Sequence, residues 1–358
     1  MCLAHAPAVR AEESGAAGRP APDFPAGGEW IPERLPMKSP AKDRVTMVYF
    51  WDYATINCLR EIPRLKEWAE VYERFGFEII FIHAPEFEFA RERPNVEKAV
   101  RRLGIRQPVY LDNDGRLWEA YGVRSWPTKF LIGADKKIAA SHIGEGGLKE
   151  FETRIREALL RRSPEANLPE PVIAHERDSF QVLDCGEMSA ELYAGYKRAD
   201  WWGVEITNRS GVLPDQVLRF KDQGRRSERG IFLQGEWANL EDSLQHRQRL
   251  QDWTAYLGGI YLGAEVYAVL SGPEKSEREV RLYVRRDDAP VPAGMHGRDL
   301  RTDETGETYL VVEEPRLYSL IRSEDGGFHE IRLMTRDPGV SVYAFSFSNT
   351  CLAEFEHP

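Results

Sequence analysis

The chain has 358 residues, enough for two ordinary domains, and its 42% hydrophobic, 30% charged and 11% aromatic side chains exclude a disordered or fibrous class. A formal charge of -10, from 58 acidic against 48 basic residues, disfavours nucleic-acid phosphate or an anionic membrane surface as the main partner and leaves small molecules or proteins. No run approaches the ~20 apolar residues of a bilayer-spanning helix and the first 30 lack a signal peptide's apolar core, so the expectation is a cytoplasmic protein without an integral membrane segment, or a periplasmic one if the start is truncated.

Residues 1–28, dominated by Ala, Pro, Gly and Glu, read as a flexible leader. Val45 to Trp51 is β-branched and aromatic throughout, which suits a strand buried on both faces. From Cys58 onward Ile62, Leu65, Trp68, Ala69, Tyr72 and Phe75 recur at helical spacing until Gly76 ends the run. Phe77 to Ile82 is the next buried strand, and the order strand, helix, strand implies a parallel pair with a right-handed crossover. Val96, Ala99, Val100 and Leu103 line a short helix ending at Gly104, and Pro108 to Leu111 is extended again. Lys129 to Ile132 and Ile138 to Ser141 form a hairpin turning at 133–137, and Leu148 to Leu160 closes the unit as a helix.

Pro164, Pro169 and Pro171 break up the polar stretch 162–175, which is the expected linker between an α/β domain over 29–161 and a second domain over 176–358. In the second, alternating segments such as Val266/Ala268/Leu270, Val280/Leu282/Val284, Ile331/Leu333 and Val340/Val342/Ala344 are separated by turn clusters. That pattern predicts an all-β sandwich or jelly roll. The four cysteines, Cys2, Cys58, Cys185 and Cys351, are too few and too scattered for a disulfide scaffold. Cys185 and Cys351 lie near opposite ends of the second domain, where a pairing is conceivable and would need geometry to support it. No metal is expected, since His296 and His329 lack partners at ligand spacing, and no cofactor is expected either.

The segment Phe50-Trp51-Asp52-Tyr53-Ala54-Thr55-Ile56-Asn57-Cys58-Leu59-Arg60-Glu61-Ile62-Pro63 runs from a buried strand into a helix and resembles the active-site segment of the thioredoxin superfamily. That resemblance implies a thioredoxin fold, a central mixed sheet flanked by helices. In the family a C-x-x-C pair sits at the helix N-terminus, where backbone amides and the helix dipole favour thiolate. Here Thr55 holds the first position and Cys58 the second, with Pro63 matching the helix proline and Trp126-Pro127-Thr128 the cis-proline loop. The blocks Ile82 to Phe87, Asp112-Asn113-Asp114, Trp118 to Tyr121 and Gly144-Glu145-Gly146 are similar to TlpA-like redoxin domains of the DipZ type and of NHL-repeat proteins. Tyr193 to Tyr196, Ala264 to Tyr267, Arg316 to Tyr318 and Val342 to Phe345 resemble the carbohydrate-binding-module-like sandwich that follows the redoxin domain in DipZ-type proteins.

Threonine cannot open a disulfide by nucleophilic attack, so dithiol reductase activity is not expected, and chemistry at this site is monothiol at Cys58. Thr55 is expected to cap the helix and donate toward the Cys58 sulfur, and Pro127 to shape the opposing wall. Trp51, Trp126, His83, Glu86 and Glu145 are candidates for the substrate groove, the two glutamates as proton shuttles. Three readings stand together: a thioredoxin-like redox protein acting on a thiol or disulfide protein or a small thiol; a non-catalytic binder of peptide, with glycan or protein bound by the sandwich; and a thiol peroxidase, since T-x-x-C is also the arrangement of peroxiredoxins. Trp201, Trp202 and Trp237 are the aromatics that would stack on a sugar, or else build the sandwich core.

Overall fold

The computed structural model describes residues 17–33, 40–173, 187–208, 214–276, 278–324 and 326–349. Cys2, Cys185 and Cys351 lie outside them, and with them the pairing considered for the last two. The chain divides into two units, residues 1–184 with 353–358, and residues 185–352.

The first unit runs β1 (Glu29–Ile31), β2 (Val45–Trp51), α1 (Ile56–Tyr72), β3 (Phe77–His83), α2 (Arg93–Arg102), β4 (Val109–Leu111), α3 (Arg116–Tyr121), β5 (Thr128–Ile132), β6 (Ile138–Ile143) and α4 (Leu148–Arg162). Its sheet has the order β1-β4-β3-β2-β5-β6, a mixed sheet with helices of the kind the motif implied. Of the four interior strands, β2, β3 and β4 run parallel, and the remaining pairings are antiparallel. All seven residues of β2 are buried, as its β-branched and aromatic run required. In α1 the buried Ile62, Leu65, Trp68 and Tyr72 repeat at three or four residues, and Gly76 ends the following turn with φ +87°, a conformation that favours glycine. Trp51 pairs with His83 in the β2–β3 register, so the carboxyl ends of both strands open at one end of the sheet. Functional groups collect there in parallel sheets.

Residues 17–28, part of the expected leader, are tied to this unit. Pro20 bridges Lys137, the Gly18 N–H donates to the Ile138 carbonyl, and buried Phe24 packs edge-on to Trp30 with ring centroids 5.3 Å apart and beside Tyr110 at 5.9 Å. A Cβ on Gly28 would lie 2.2 Å from the Tyr110 ring, so only glycine lets the chain pass. One aromatic in a low-complexity run was enough to anchor it, which composition averaging hides. The expected linker is docked likewise near its far end, at Val172 and Ile173. Buried Glu152 accepts hydrogen bonds from the Tyr72 hydroxyl (2.6 Å), the Val172 N–H (2.7 Å) and the Ile173 N–H (2.8 Å).

The second unit contains β7 (Leu192–Tyr193), α5 (Tyr196–Trp202), β8 (Glu205–Ile206), β9 (Val217–Phe220), β10 (Gly230–Asn239), β11 (Leu244–His246), β12 (Ala255–Leu262), β13 (Glu265–Ser271), β14 (Arg281–Arg286), β15 (Ala289–Pro290), β16 (Arg301–Thr302), β17 (Thr308–Val311), β18 (Arg316–Arg322), β19 (Phe328–Thr335) and β20 (Ser341–Ser348). The main path is β16-β17-β14-β19-β12-β10-β11-β20-β13-β18. Every pairing is antiparallel except the short β8–β10 contact. Strand β10 belongs to both halves of this path: Ile231 to Gln234 pair with β12, and Trp237 to Asn239 with β11. Between them Gly235 has φ +102°, and a Cβ there would stand 2.8 Å from that of Ala255. The core between the halves is built from alternating residues such as Leu282, Val284, Leu333, Val342 and Phe345, the pattern read as a sandwich.

Candidate active site

The site is assembled where β2 gives way to α1. Residues 52–55 leave the strand, and the Asp52 carboxylate stabilises the turn by accepting from the Ala54 N–H (2.5 Å) and, across the strand ends, from the Glu86 N–H (2.9 Å). Thr55 is the N-cap residue of α1: its carbonyl accepts from the Cys58 N–H (3.1 Å) and the Leu59 N–H (3.2 Å). Its hydroxyl does not cap the helix, and it donates instead to Glu86 Oε2 at 2.9 Å. The expected donation to sulfur is thus replaced by a carboxylate, a stronger acceptor than a thiol.

Cys58 is fully buried, the third residue of α1, and its carbonyl accepts from the Tyr49 hydroxyl at 3.2 Å. Burial pushes its thiol well above the usual range. A backbone hydrogen bond from Asp52 works the other way, and the charges of Asp52, Glu61 and Glu86 add to the rise. The helix N-terminus, which favours a thiolate at the first motif position, does not rescue one that lies deeper and faces three carboxylates.

Opposite, the Trp126–Pro127 peptide is cis, as the resemblance implied, and the Pro127 carbonyl accepts from the Gly144 N–H at 2.8 Å. Trp126 is half-buried, with its indole donating to the Ala84 carbonyl (2.9 Å) and its ring 4.6 Å from that of Trp118. Trp51 is completely buried beside Phe81 and His83, so it belongs to the core rather than to a groove. Its place in a strand with both faces covered accounts for this. His83 is also fully buried, stacked on Tyr53, with Nε2 3.6 Å from Asp52 and neither ring nitrogen hydrogen-bonded among the described residues. Burial lowers its pKa to about 3, so it is neutral.

Beneath Cys58 lies a cluster that motif reading missed in part. Glu61, one turn after Cys58 on α1, holds Lys129 at 2.5 Å with both side chains fully buried, and accepts from the Gly146 N–H at 2.8 Å. Arg60 pairs with Glu145 at 3.1 Å, both nearly inaccessible. Burial and the neighbouring Glu61 push the Glu145 carboxyl up to about 7 against the opposing pull of Arg60. The available signals were a lysine inside the apolar run Thr128 to Ile132 and a glutamate three residues after the cysteine, on its own helix face.

In the second unit Trp237 is buried in the core and donates to the Gln234 carbonyl, which removes it from any sugar platform. Trp201 and Trp202 are exposed on α5, and Trp202 stacks on Tyr193 at 5.8 Å. His296 meets the Val291 carbonyl and His329 meets Asp287. Among the described residues no group of three or more His, Cys, Asp or Glu side chains is arranged to hold a metal ion, and no helix is long and apolar enough to cross a membrane.

Two family models match the chain. Residues 17–141 match the AhpC/TSA family, and residues 189–348 match the thioredoxin-like C-terminal domain. The protein DipZ of Mycobacterium tuberculosis is 34% identical over 307 residues, covering 86% of this chain and 39% of that protein, and DipZ of Mycobacterium bovis matches equally. The chain therefore spans about two fifths of the length of these relatives. The thiol-disulfide oxidoreductase ResA of Bacillus anthracis is 32% identical over 111 residues, covering 31% of this chain and 61% of its own. Among solved structures, a DsbE-type thiol:disulfide interchange protein from Chlorobium tepidum aligns with 40% of this chain and 97% of its own, at 24% identity and a TM-score of 0.36.

Proposed function

From a chain that joins an AhpC/TSA-type thioredoxin-like domain to a thioredoxin-like C-terminal domain, in the arrangement shared with DipZ, we propose a thiol-disulfide redox protein that works with one thiol. The observation that carries this reading is that Cys58 keeps the second motif position on α1 while the Trp126–Pro127 peptide is cis; the thiol itself is wholly buried and raised by that burial. Such a thiol does not open an exchange at neutral pH. It reacts when deprotonated and approached by a partner: its thiolate attacks one sulfur of a partner disulfide, the partner S–S bond breaks, and the other partner sulfur leaves as thiolate. An external thiol then attacks the mixed disulfide, forming a new disulfide with the partner sulfur and returning Cys58. Trp126 and Pro127 are the wall along which the partner chain lies, and Thr55, bonded to Glu86, stands where the family keeps its attacking sulfur.

A second reading is favoured by the zero exposure of Cys58: a thioredoxin scaffold that binds a peptide without exchange. On either reading the exposed Trp201 and Trp202 are the aromatic surface of the second unit available to a glycan or protein ligand. A peroxidase reading fits less well, because a peroxide-reducing cysteine needs thiolate at neutral pH.

The test is alkylation of native protein against pH, with Cys58→Ser as blank. Slow labelling with a midpoint well above the ~8.5 of a free thiol, suppressed by a disulfide-bearing peptide that holds Cys58 as a mixed disulfide and restored by an external thiol, supports the single-thiol reading. Labelling only after unfolding, with peptide binding retained, selects the scaffold. A midpoint well below ~8.5, with peroxide blocking the label, selects the peroxidase.

A further inference from the structure

A ring of contacts runs round Cys58. Its N–H donates to the Thr55 carbonyl (3.1 Å), the Thr55 hydroxyl to Glu86 Oε2 (2.9 Å), and the Glu86 N–H to the Asp52 carboxylate (2.9 Å), while a backbone hydrogen bond from Asp52 returns to Cys58. The loop that completes this ring, Ala84-Pro85-Glu86 after β3, is fixed at both ends, by the Ala84 N–H on the Trp51 carbonyl (3.0 Å) and by buried Phe87. Between those ends it is pinned to both walls of the site. The Thr55–Glu86 bond joins it to the start of α1, and the Trp126 indole, donating to the Ala84 carbonyl at 2.9 Å, joins it to the cis-proline wall. Glu86 and Trp126 are half-buried, so both pins lie at the water side of the site, whereas Cys58 behind them is wholly buried. The gap that the pins span is the one a partner sulfur has to cross.

Resting on the reading that Cys58 exchanges with a partner disulfide, we propose that this loop is a clasp over Cys58, opened by an extended peptide segment of a disulfide-bearing protein rather than by a small disulfide. Thr55, Glu86 and Trp126 are its positioning residues. Opening takes a donor from the Glu86 carboxylate, a donor from the Ala84 carbonyl and an acceptor from the Trp126 N–H. Polar groups left unmet in a half-buried site carry a desolvation cost, so the opener has to bring matching groups of its own. An extended main chain offers an N–H and a C=O at every residue, which meet the Ala84 carbonyl and the indole N–H. A hydroxyl, amide or ammonium side chain beside the partner cysteine meets Glu86. A small disulfide without donors replaces neither pin. The Thr55 hydroxyl is available for this role because it does not cap α1.

The experiment measures mixed-disulfide formation at Cys58 with two reagents, a neutral dipyridyl disulfide that carries no donor and a short cystine-bridged peptide with serine beside its cysteine. Each reaction forms one bond to the Cys58 sulfur, breaks the reagent S–S bond and releases the other sulfur as thiolate. Thr55→Val removes only the hydroxyl and keeps the β-branched shape that suits the extended φ of -98° at this position, and Trp126→Phe keeps a ring and removes the indole N–H. Each should speed the dipyridyl reaction about fivefold, and the two together about 25-fold, the factors for one and two ordinary hydrogen bonds holding the same loop. The midpoint of the pH profile should stay in place, since neither change alters a charge, and the rates should be flat in low urea, since a local opening exposes little surface. The peptide reaction should gain far less, so the wild-type preference for peptide falls at least fivefold in the double variant. Unchanged dipyridyl rates overturn the clasp, as does a wild-type rate that climbs with urea along the global unfolding slope, and an unchanged preference overturns the peptide partner. Faster iodoacetamide labelling of the double variant with no reaction toward either disulfide supports the clasp and overturns the peptide partner together with the exchange reading. If Trp126→Phe does not fold, Thr55→Val decides alone.

Discussion

Thr55 stands three residues before Cys58, at the position where a cysteine would complete a C-x-x-C pair. Cys58 is in place, Pro127 is cis, and Thr55 holds the remaining position with its hydroxyl on Glu86. Thr55→Cys should therefore form a disulfide with Cys58 and raise insulin-disulfide reduction by about tenfold or more over wild type, because the introduced thiol sits at the helix start where thiolate is favoured. A turbidity assay with thiol titration checks both outcomes. His83 gives a second prediction at this scale. Its pKa is depressed to about 3, so its contribution to stability is complete above about 6.5 and is lost as pH falls toward 3, where the unfolded chain takes up the proton and the native one resists it. His83→Phe, neutral at every pH, should flatten that acid limb by up to a few kcal/mol in urea melts, while wild type loses stability across it.

The elements themselves were largely legible in the sequence. Val45–Trp51 is a strand end to end, and α4 begins at Leu148 and β6 at Ile138 as patterning required, because burial on one or both faces leaves a strong periodic imprint. The less legible elements are those held by single contacts or lacking periodicity. Strands β10 and β12 contain four glycines between them and mix buried with half-buried positions, which blurs alternation, and no expectation was attached to them. The chain before Glu29 and after Arg162 was assigned to a leader and a linker on composition, yet Phe24 and Glu152 anchor what is described there. Glu152→Ala should leave two backbone amides and the Tyr72 hydroxyl without their acceptor, costing roughly 2–3 kcal/mol in thermal or urea melts. Phe24→Ala should cost roughly 3–4 kcal/mol by emptying the space between Trp30 and Tyr110. Of the site, the cysteine, threonine and proline were readable because a motif carries them. The salt bridges beneath were less so: Lys129 in an apolar strand and Glu61 three residues after Cys58 hint at buried charge, but which partner each takes across α1, β5 and the loop after β6 is set by the fold.

At the scale of the whole molecule, each unit has its own sheet and its own hydrophobic core, one mixed and one almost wholly antiparallel. The two differ in how their pairings are ordered along the chain. In the first, β2, β3 and β4 meet in sequence, each next to the strand made before it. In the second, β20 is the last strand in chain order yet lies inside the path, between β11 and β13, while β7, the first, also pairs with it. During synthesis the open edges of β11 and β13 therefore wait for β20, which begins about 95 and 70 residues further on, before they are covered. The first unit can complete its sheet on the ribosome while the second remains an open template with bare strand edges, so nascent chains stalled before Ser341 are the species that chaperones must hold.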